Sequence, residues 1–188
     1  MSEISHNKIT NNNTSTSDVT DVIISPEDRF YINLSDFLEL ITRLLEKNKV
    51  QINPVVFVIA RSYIEKIEKQ NIIKMFIEGS LENGNCVWDN IAKEDTRFCI
   101  QYFIRYVNNL TNINIKKLID DKDPEKLFSE IFSEDVDIKV FWSYMKSFVR
   151  IALNYIKTNS GELSSRVRKL LTEDMIKKYS ELFKKQNC

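Results

Sequence analysis

The stretch Ile138–Ile156, IKVFWSYMKSFVRIALNYI, restricts the fold more than any other part of the chain. On a helical wheel at about 100° per residue, Lys139, Ser143, Lys146, Ser147, Arg150 and Asn154 gather in an arc of roughly 100°. The rest of the wheel is apolar or aromatic over roughly 220°. A surface helix needs only a narrow apolar stripe, so this one requires other helices on most of its sides. Its polar stripe is narrow and ends in Arg150 and Asn154. It is therefore not expected to be a partner-binding face itself.

The neighbours it needs can be read along the chain. Only three Gly and three Pro occur in 188 residues. That scarcity disfavours sheets joined by tight turns and favours long helices. With 43% hydrophobic and 11% aromatic residues, the chain can bury a sizeable core. The expected fold is all-α: a single globular bundle of about 7–9 helices around a buried helix 138–157. It should occupy residues 28–188. Residues 1–27, with their run NKITNNNTSTSDVTD, read as a disordered polar tail, because they bury too little to offset the entropy of ordering. Val22, Ile23 and Ile24 form a short apolar patch that is expected to dock back onto the domain.

Local signals place the helices. Ser35 suits an N-cap for a helix to about Asn48, with Phe37, Leu38, Ile41, Leu44 and Leu45 on one face. Asn53-Pro54 marks a second start, an N-cap followed by Pro at the first helical position. Its helix is rich in β-branched residues, yet its length and the tail Glu65-Lys66-Ile67-Glu68-Lys69 favour helix over strand. Asn71 to Phe76 extends it or forms a short new one. Gly79 to Asn85 reads as the clearest internal loop, and Trp88 opens a short turn. Asp95 caps a helix to about Leu110, in which Phe98, Tyr102 and Tyr106 recur every four residues. Asn112 to Asp121 gives a short helix, and Asp123-Pro124 starts another to about Phe132. Ser160-Gly161 breaks the long helix. A segment from Glu162 to Leu171 follows, then a last helix capped by Thr172 and ending near Lys185. No motif repeats at a fixed offset.

Enzyme chemistry finds little support. The only histidine, His6, lies in the tail, which removes Ser-His and Cys-His nucleophilic pairs and histidine-based zinc sites. Neither GxGxxG nor GxxxxGK[ST] occurs. Cys86, Cys99 and Cys188 are scattered and odd in number, which gives neither a disulfide framework nor a C-x-x-C site. The carboxylates of Asp120, Asp121, Asp123, Glu125, Glu134, Asp135 and Asp137 lack the Gly and the distal Glu of a calcium loop. They read as solvated helix starts. No catalytic, cofactor-binding or metal-binding residue is nominated, and the chain is expected not to be an enzyme. The start MSEISHNKIT has no signal-peptide core, and no run of about 18 apolar residues exists. An intracellular chain, cytoplasmic or nuclear and without a membrane anchor, is the expectation.

Charge is balanced overall, 27 basic against 27 acidic residues, but uneven locally. Lys116–Asp137 carries eight acidic and four basic residues, while Ser164–Cys188 carries seven basic and three acidic. The basic end, with Arg166, Arg168, Lys169, Lys177, Lys178, Lys184 and Lys185, could meet nucleic acid. Helical spacing also suits the solvated face of two amphipathic helices. The aromatic series Phe98, Tyr102, Phe103 and Tyr106 is expected to be core.

Two segments resemble the cyclin box of P-type cyclins. Asn53–Ile67, NPVVFVIARSYIEKI, is similar to the second helix of that box, through Pro54, Phe57, Ala60 and Tyr63-Ile64-Glu65-Lys66. Asp36-Phe37-Leu38 with Arg43-Leu44 suits its first helix. Leu171-Thr172-Glu173-Asp174, with Tyr179 and Leu182, is similar to its closing segment. The following helix, RFCIQYFIRYVNNL, departs from the family in having neither small residues nor the expected lysine. The resemblance implies a non-enzymatic, protein-binding regulatory module that docks on a protein kinase, with Arg43, Glu65 and Lys66 as partner-binding residues. Two alternatives stay open. Gly161–Leu171 is similar to the closing helix of the HEAT-repeat middle domain of translation-initiation scaffolds, which implies RNA or helicase binding. A wide-faced helix ringed by amphipathic ones resembles the plan of Bcl-2-like proteins, including viral ones, although Trp88 is not followed by the family's Gly-Arg.

Overall fold

The first helix, α1 (Pro26–Lys47), begins on a strong local signal. The Ser25 hydroxyl accepts the Asp28 backbone N–H at 3.1 Å and donates to the Asp28 carboxylate at 2.8 Å. Pro26 occupies the first turn, and Glu27 and Asp28 meet the positive end of the helix dipole. The cap is therefore Ser25 and not Ser35, which lies buried in mid-helix. Helix α1 starts two residues inside the segment assigned to the tail. The computed structural model describes residues 24–50, 55–81, 87–111 and 123–184. Residues 1–23 of the proposed tail, the start at Asn53-Pro54 and the short helix at 112–121 lie outside them.

Among the described residues the chain forms nine α-helices and no strand. After α1 come α2 (Val55–Ile64), α3 (Lys69–Leu81), α4 (Val87–Ala92) and α5 (Thr96–Thr111). Then follow α6 (Pro124–Ile131), α7 (Asp135–Asn159), a 3-10 turn (Ser160–Glu162), α8 (Ser165–Leu170) and α9 (Glu173–Leu182). Several starts fall where the capping residues predict them. Asp95 accepts the Phe98 N–H at 3.0 Å, Asp123 the Lys126 N–H at 3.2 Å and Thr172 the Met175 N–H at 3.2 Å. The 3-10 turn takes up Ser160-Gly161, so α8 starts only after Ser164, whose hydroxyl accepts the Val167 N–H.

Helix α7 is buried on most sides, as its apolar arc requires: Phe141, Met145, Phe148, Val149, Ala152, Tyr155 and Ile156 all lie in the core. It is not a solitary axle. Helix α1 packs along it with Phe30, Leu34, Phe37, Leu38 and Ile41 equally buried, and α1 also contacts α2, α3 and α6. The two run antiparallel. Phe30 meets Phe148, Asn33 donates to Ser147 at 2.8 Å, and at the far end Lys47 reaches Glu134 at 2.7 Å. There the Asn48 side chain donates to the Ile131 carbonyl at 2.7 Å, while Lys49 takes the left-handed conformation, φ 52°, that turns the chain out of the helix.

Helices α3 and α5 flank this pair and cross-link through tyrosines. Tyr106 donates to the Ile72 carbonyl at 2.9 Å and Tyr102 to the Phe76 carbonyl at 3.1 Å. The expected loop at Gly79 is still helix, because α3 runs to Leu81. A Cβ on Gly79 would stand 3.4 Å from the Tyr102 hydroxyl, which also shares a hydrogen bond of 3.1 Å with Ser80. These small residues let α5 approach α3. The pair reads as a turn in sequence and serves as a packing notch in the fold. Of the aromatic series of α5, Phe103 and Tyr106 are core, and Phe98 and Tyr102 are half-buried against it: Phe103 sits edge-on against Phe37 at 4.7 Å, and Tyr106 against Phe76 at 5.7 Å.

Candidate partner-binding face

Helix α2 is short and apolar on two opposite faces. Phe57, Ala60 and Ile64 point into the core and are 6%, 0% and 1% exposed. Val58, Ile59 and Tyr63 point outward and are 52%, 44% and 49% exposed. At 3.6 residues per turn, 58, 59, 62, 63 and 66 form one stripe, so these three apolar side chains share a surface strip with Ser62 and Lys66. Isolated exposed apolar residues are ordinary, but three on one strip of a ten-residue helix form a patch.

Charged side chains border the strip. Arg61 reaches across to α1, where its guanidinium meets Glu39 at 2.9 Å, and it lies 3.9 Å from Glu65 on its own helix. The Lys66 ammonium stands over the Tyr63 ring at 5.5 Å. At the start of α3, Lys69 bonds Asp28 at 2.6 Å and stands over Tyr31 at 5.1 Å. The Arg61 bridge ties α2 to α1, and the Lys69 bridge ties the start of α3 to the start of α1. They are exposed ion pairs, so each contributes little to stability, and their use is to set the register of the seam.

The three nominated residues are all exposed, but they do not form one cluster. Glu65 and Lys66 sit just past the end of α2, beside Tyr63. Arg43 lies on α1, one turn beyond Glu39 and about 6 Å further along by helical rise. Its charge acts on Tyr144 of α7, whose hydroxyl is pushed up in pKa by burial and by Asp36 while Arg43 opposes the rise. The outward set Val58, Ile59 and Tyr63 was not nominated from sequence. Its only sequence signal is that α2 has apolar residues all round in a helix too short to be enclosed.

The remaining candidates disperse. Arg168, Lys169 and Lys177 are exposed on α8 and α9, whereas Lys178 bonds Asp89 of α4 at 2.9 Å and covers the Tyr179 ring. Among the described residues no three His, Cys, Asp or Glu side chains come together as metal ligands. Cys99 is buried, and desolvation followed by the nearby Asp95 charge pushes its thiol up to about 12. Two apolar interior voids, of about 10 Å³ and 50 Å³, are far below the size of a small-molecule site, about 300–1,000 Å³. No described helix is long and apolar enough to cross a membrane. Comparison with protein-family models, with curated proteins and with solved structures gives no match.

Proposed function

We propose that the chain is a non-enzymatic, protein-binding regulatory module that meets its partner through the outward strip of α2. The observation that carries this reading is the exposure of Val58, Ile59 and Tyr63 side by side, bordered by Arg61, Glu65 and Lys66. Such a strip has the make-up of an interface: apolar and aromatic side chains at the centre and charge at the rim. A tyrosine with one cationic neighbour is a suitable anchor, because it carries large area at little entropy cost. A protein kinase is the partner that the resemblance of this same segment to a cyclin box implies, and Glu65 and Lys66 would then be rim contacts.

The test uses the tagged full chain expressed in its native cell. Wild type should co-purify with one protein in a saturable, near-equimolar complex, and that complex should transfer phosphate from ATP to a generic protein substrate. Ile59→Glu and Tyr63→Glu should each abolish the association, and Lys66→Glu should weaken it. All three positions are exposed, so thermal unfolding of the free chain should not change. Retention of the partner by both α2 variants would overturn the face. A partner without kinase activity would overturn the kinase.

A further inference from the structure

The polar stripe of α7 is the floor of an open cleft. Ala92 and Glu94 at the end of α4 form one wall, and Leu182, Phe183 and Lys184 at the end of α9 form the other. Lys139, Ser143, Lys146 and Arg150 lie between them, and the space measures about 600 Å³. The narrowness of the stripe, which argued against a binding role in the sequence, is what allows two other helices to rise on either side of it.

The charges inside do not cancel. Among the described residues of the lining, Lys139, Lys146, Arg150 and Lys184 face one carboxylate, Glu94, and Lys146 binds that carboxylate at 2.6 Å. Glu94 is itself held in the left-handed conformation at φ 56° where the chain leaves α4. Lys139, Arg150 and Lys184 have no ion pair among the described residues. Arg150 is half-buried, and desolvation lowers its pKa. A guanidinium partly removed from water without a carboxylate partner is costly to the free protein and favourable to an incoming anion. The formal charge of the whole chain is zero, so this excess is local.

We infer that this cleft binds an acidic segment of a partner protein, in which carboxylates alternate with apolar side chains. Arg150 would take one carboxylate on both arms of its fork, and Lys139 and Lys184 would take its neighbours. Leu182, 51% exposed, and Ile138 at the rim offer apolar contact between the charges. Nucleic acid fits less well. Trp142 and Phe183, the aromatic lining, are 6% and 4% exposed, and no ring face is open for a base to stack on. The cleft shares no residue with the strip on α2, so each reading can fail without the other.

The probe is a fluorescein-labelled peptide of alternating glutamate and leucine, followed by anisotropy with the full chain. Its lysine-leucine counterpart, a single-stranded oligoribonucleotide and inorganic tripolyphosphate serve as comparisons at matched ionic strength. The acidic peptide should bind saturably and the basic one should not. Arg150→Ala should weaken binding about tenfold or more, the scale of a lost charge-assisted pair. Arg150→Lys, which keeps the charge but not the fork, should fall between the two. Lys139→Ala with Lys184→Ala should also weaken binding and, being exposed, reports even if the Arg150 variants misfold. Tyr63→Glu should leave it unchanged. Absence of saturable binding overturns the inference, as does indifference to all these substitutions. Tighter binding of the oligoribonucleotide would reassign the cleft to nucleic acid, and equal competition by tripolyphosphate would reduce it to a general anion site.

Discussion

Phe148 is where three helices meet, and its removal is the sharpest test of the α1–α7 pairing. Its ring is 2% exposed and lies 5.1 Å from Phe30, 5.9 Å from Phe37 and 6.1 Å from Phe76. Two of these partners belong to α1 and one to α3. Truncating a buried phenylalanine to alanine costs about 3–5 kcal/mol, through lost transfer energy and the cavity left behind. Aromatic pairs add about 0.5–1.5 kcal/mol each beyond area, and four are lost here, the fourth with Tyr144 of the same helix. Phe148→Ala should therefore fall in the upper half of the range, about 4 kcal/mol. For a chain of this length that is a drop of about 8–16 °C in Tm. Total stabilities run at about 5–15 kcal/mol, so the variant would be marginal and is best read by urea unfolding at low temperature. The far-UV signal should give a lower midpoint at unchanged slope. A cycle of Phe30→Leu and Phe148→Leu should show a coupling of about 0.5–1.5 kcal/mol, while Lys139→Ala in the same helix should stay within about 0.5 kcal/mol. A loss below about 1.5 kcal/mol for Phe148→Ala, with no coupling to Phe30, would mean that α1 and α7 do not share a core.

Three smaller perturbations test other joints. Tyr106→Phe should cost about 1 kcal/mol in urea unfolding, because its hydroxyl bonds a carbonyl inside α3 that keeps its helical partner. Cys99 should resist iodoacetamide at pH 8 in the native chain and react once urea exposes it, since its thiol is buried and raised to about 12. Glu162 accepts from Tyr155 at 2.7 Å and lies 3.3 Å from Lys74, and these two contacts, with a hydrogen bond from Asn159, hold its carboxyl below the ordinary glutamate value of 4.5 against the desolvation that opposes them. The folded state therefore binds this proton less readily than the unfolded chain. Its stabilisation is complete above the ordinary value and is lost as pH falls through the depressed one. The difference in Tm between wild type and Glu162→Gln should be constant near neutrality and shrink toward zero in acid. A difference that grows in acid would reverse the assignment.

Much of the fold was legible because its signals are local. Asp95, Asp123 and Thr172 start helices where their side chains can accept a backbone N–H, and no tertiary contact is needed to see it. The burial of Ile138–Ile156 follows from angular distribution alone. What sequence obscured depends on partners far along the chain. Gly79-Ser80 carries a turn signature, and only the approach of Tyr102 from α5 makes it a notch in a helix. Ser25 and Ser35 are both plausible caps by residue type. The choice falls on Ser25 because Pro26 and Asp28 follow it, and because the turn around Ser35 is needed for packing. Helix α1 looked like one amphipathic element among several, and its central place becomes visible only with α2, α3, α6 and α7 assembled around it.

The two proposed surfaces were hidden for opposite reasons, and both come from the same limit of a helical wheel. A wheel records which side chains share a face but not how much of that face neighbouring helices cover. On α2 the apolar side chains occupy both faces, and the wheel does not say which of them is covered. The chain supplies cover for Phe57, Ala60 and Ile64 and leaves Val58, Ile59 and Tyr63 in solvent. On α7 the polar side chains occupy one narrow arc, which reads as a solvated seam, and α4 and α9 rise beside it to make a cleft. Length separates the cases. A helix of 25 residues, such as α7, has enough neighbours to be walled along its polar edge, while one of ten, such as α2, runs out of neighbours before its apolar surface is spent. A short helix that is apolar all round, in a chain with longer helices to form the core, is thus a sequence signal for an exposed apolar strip, which no charged residue beside it gives. Glu65 and Lys66 then mark the neighbourhood of the strip, and Arg43 on α1 lies apart from it.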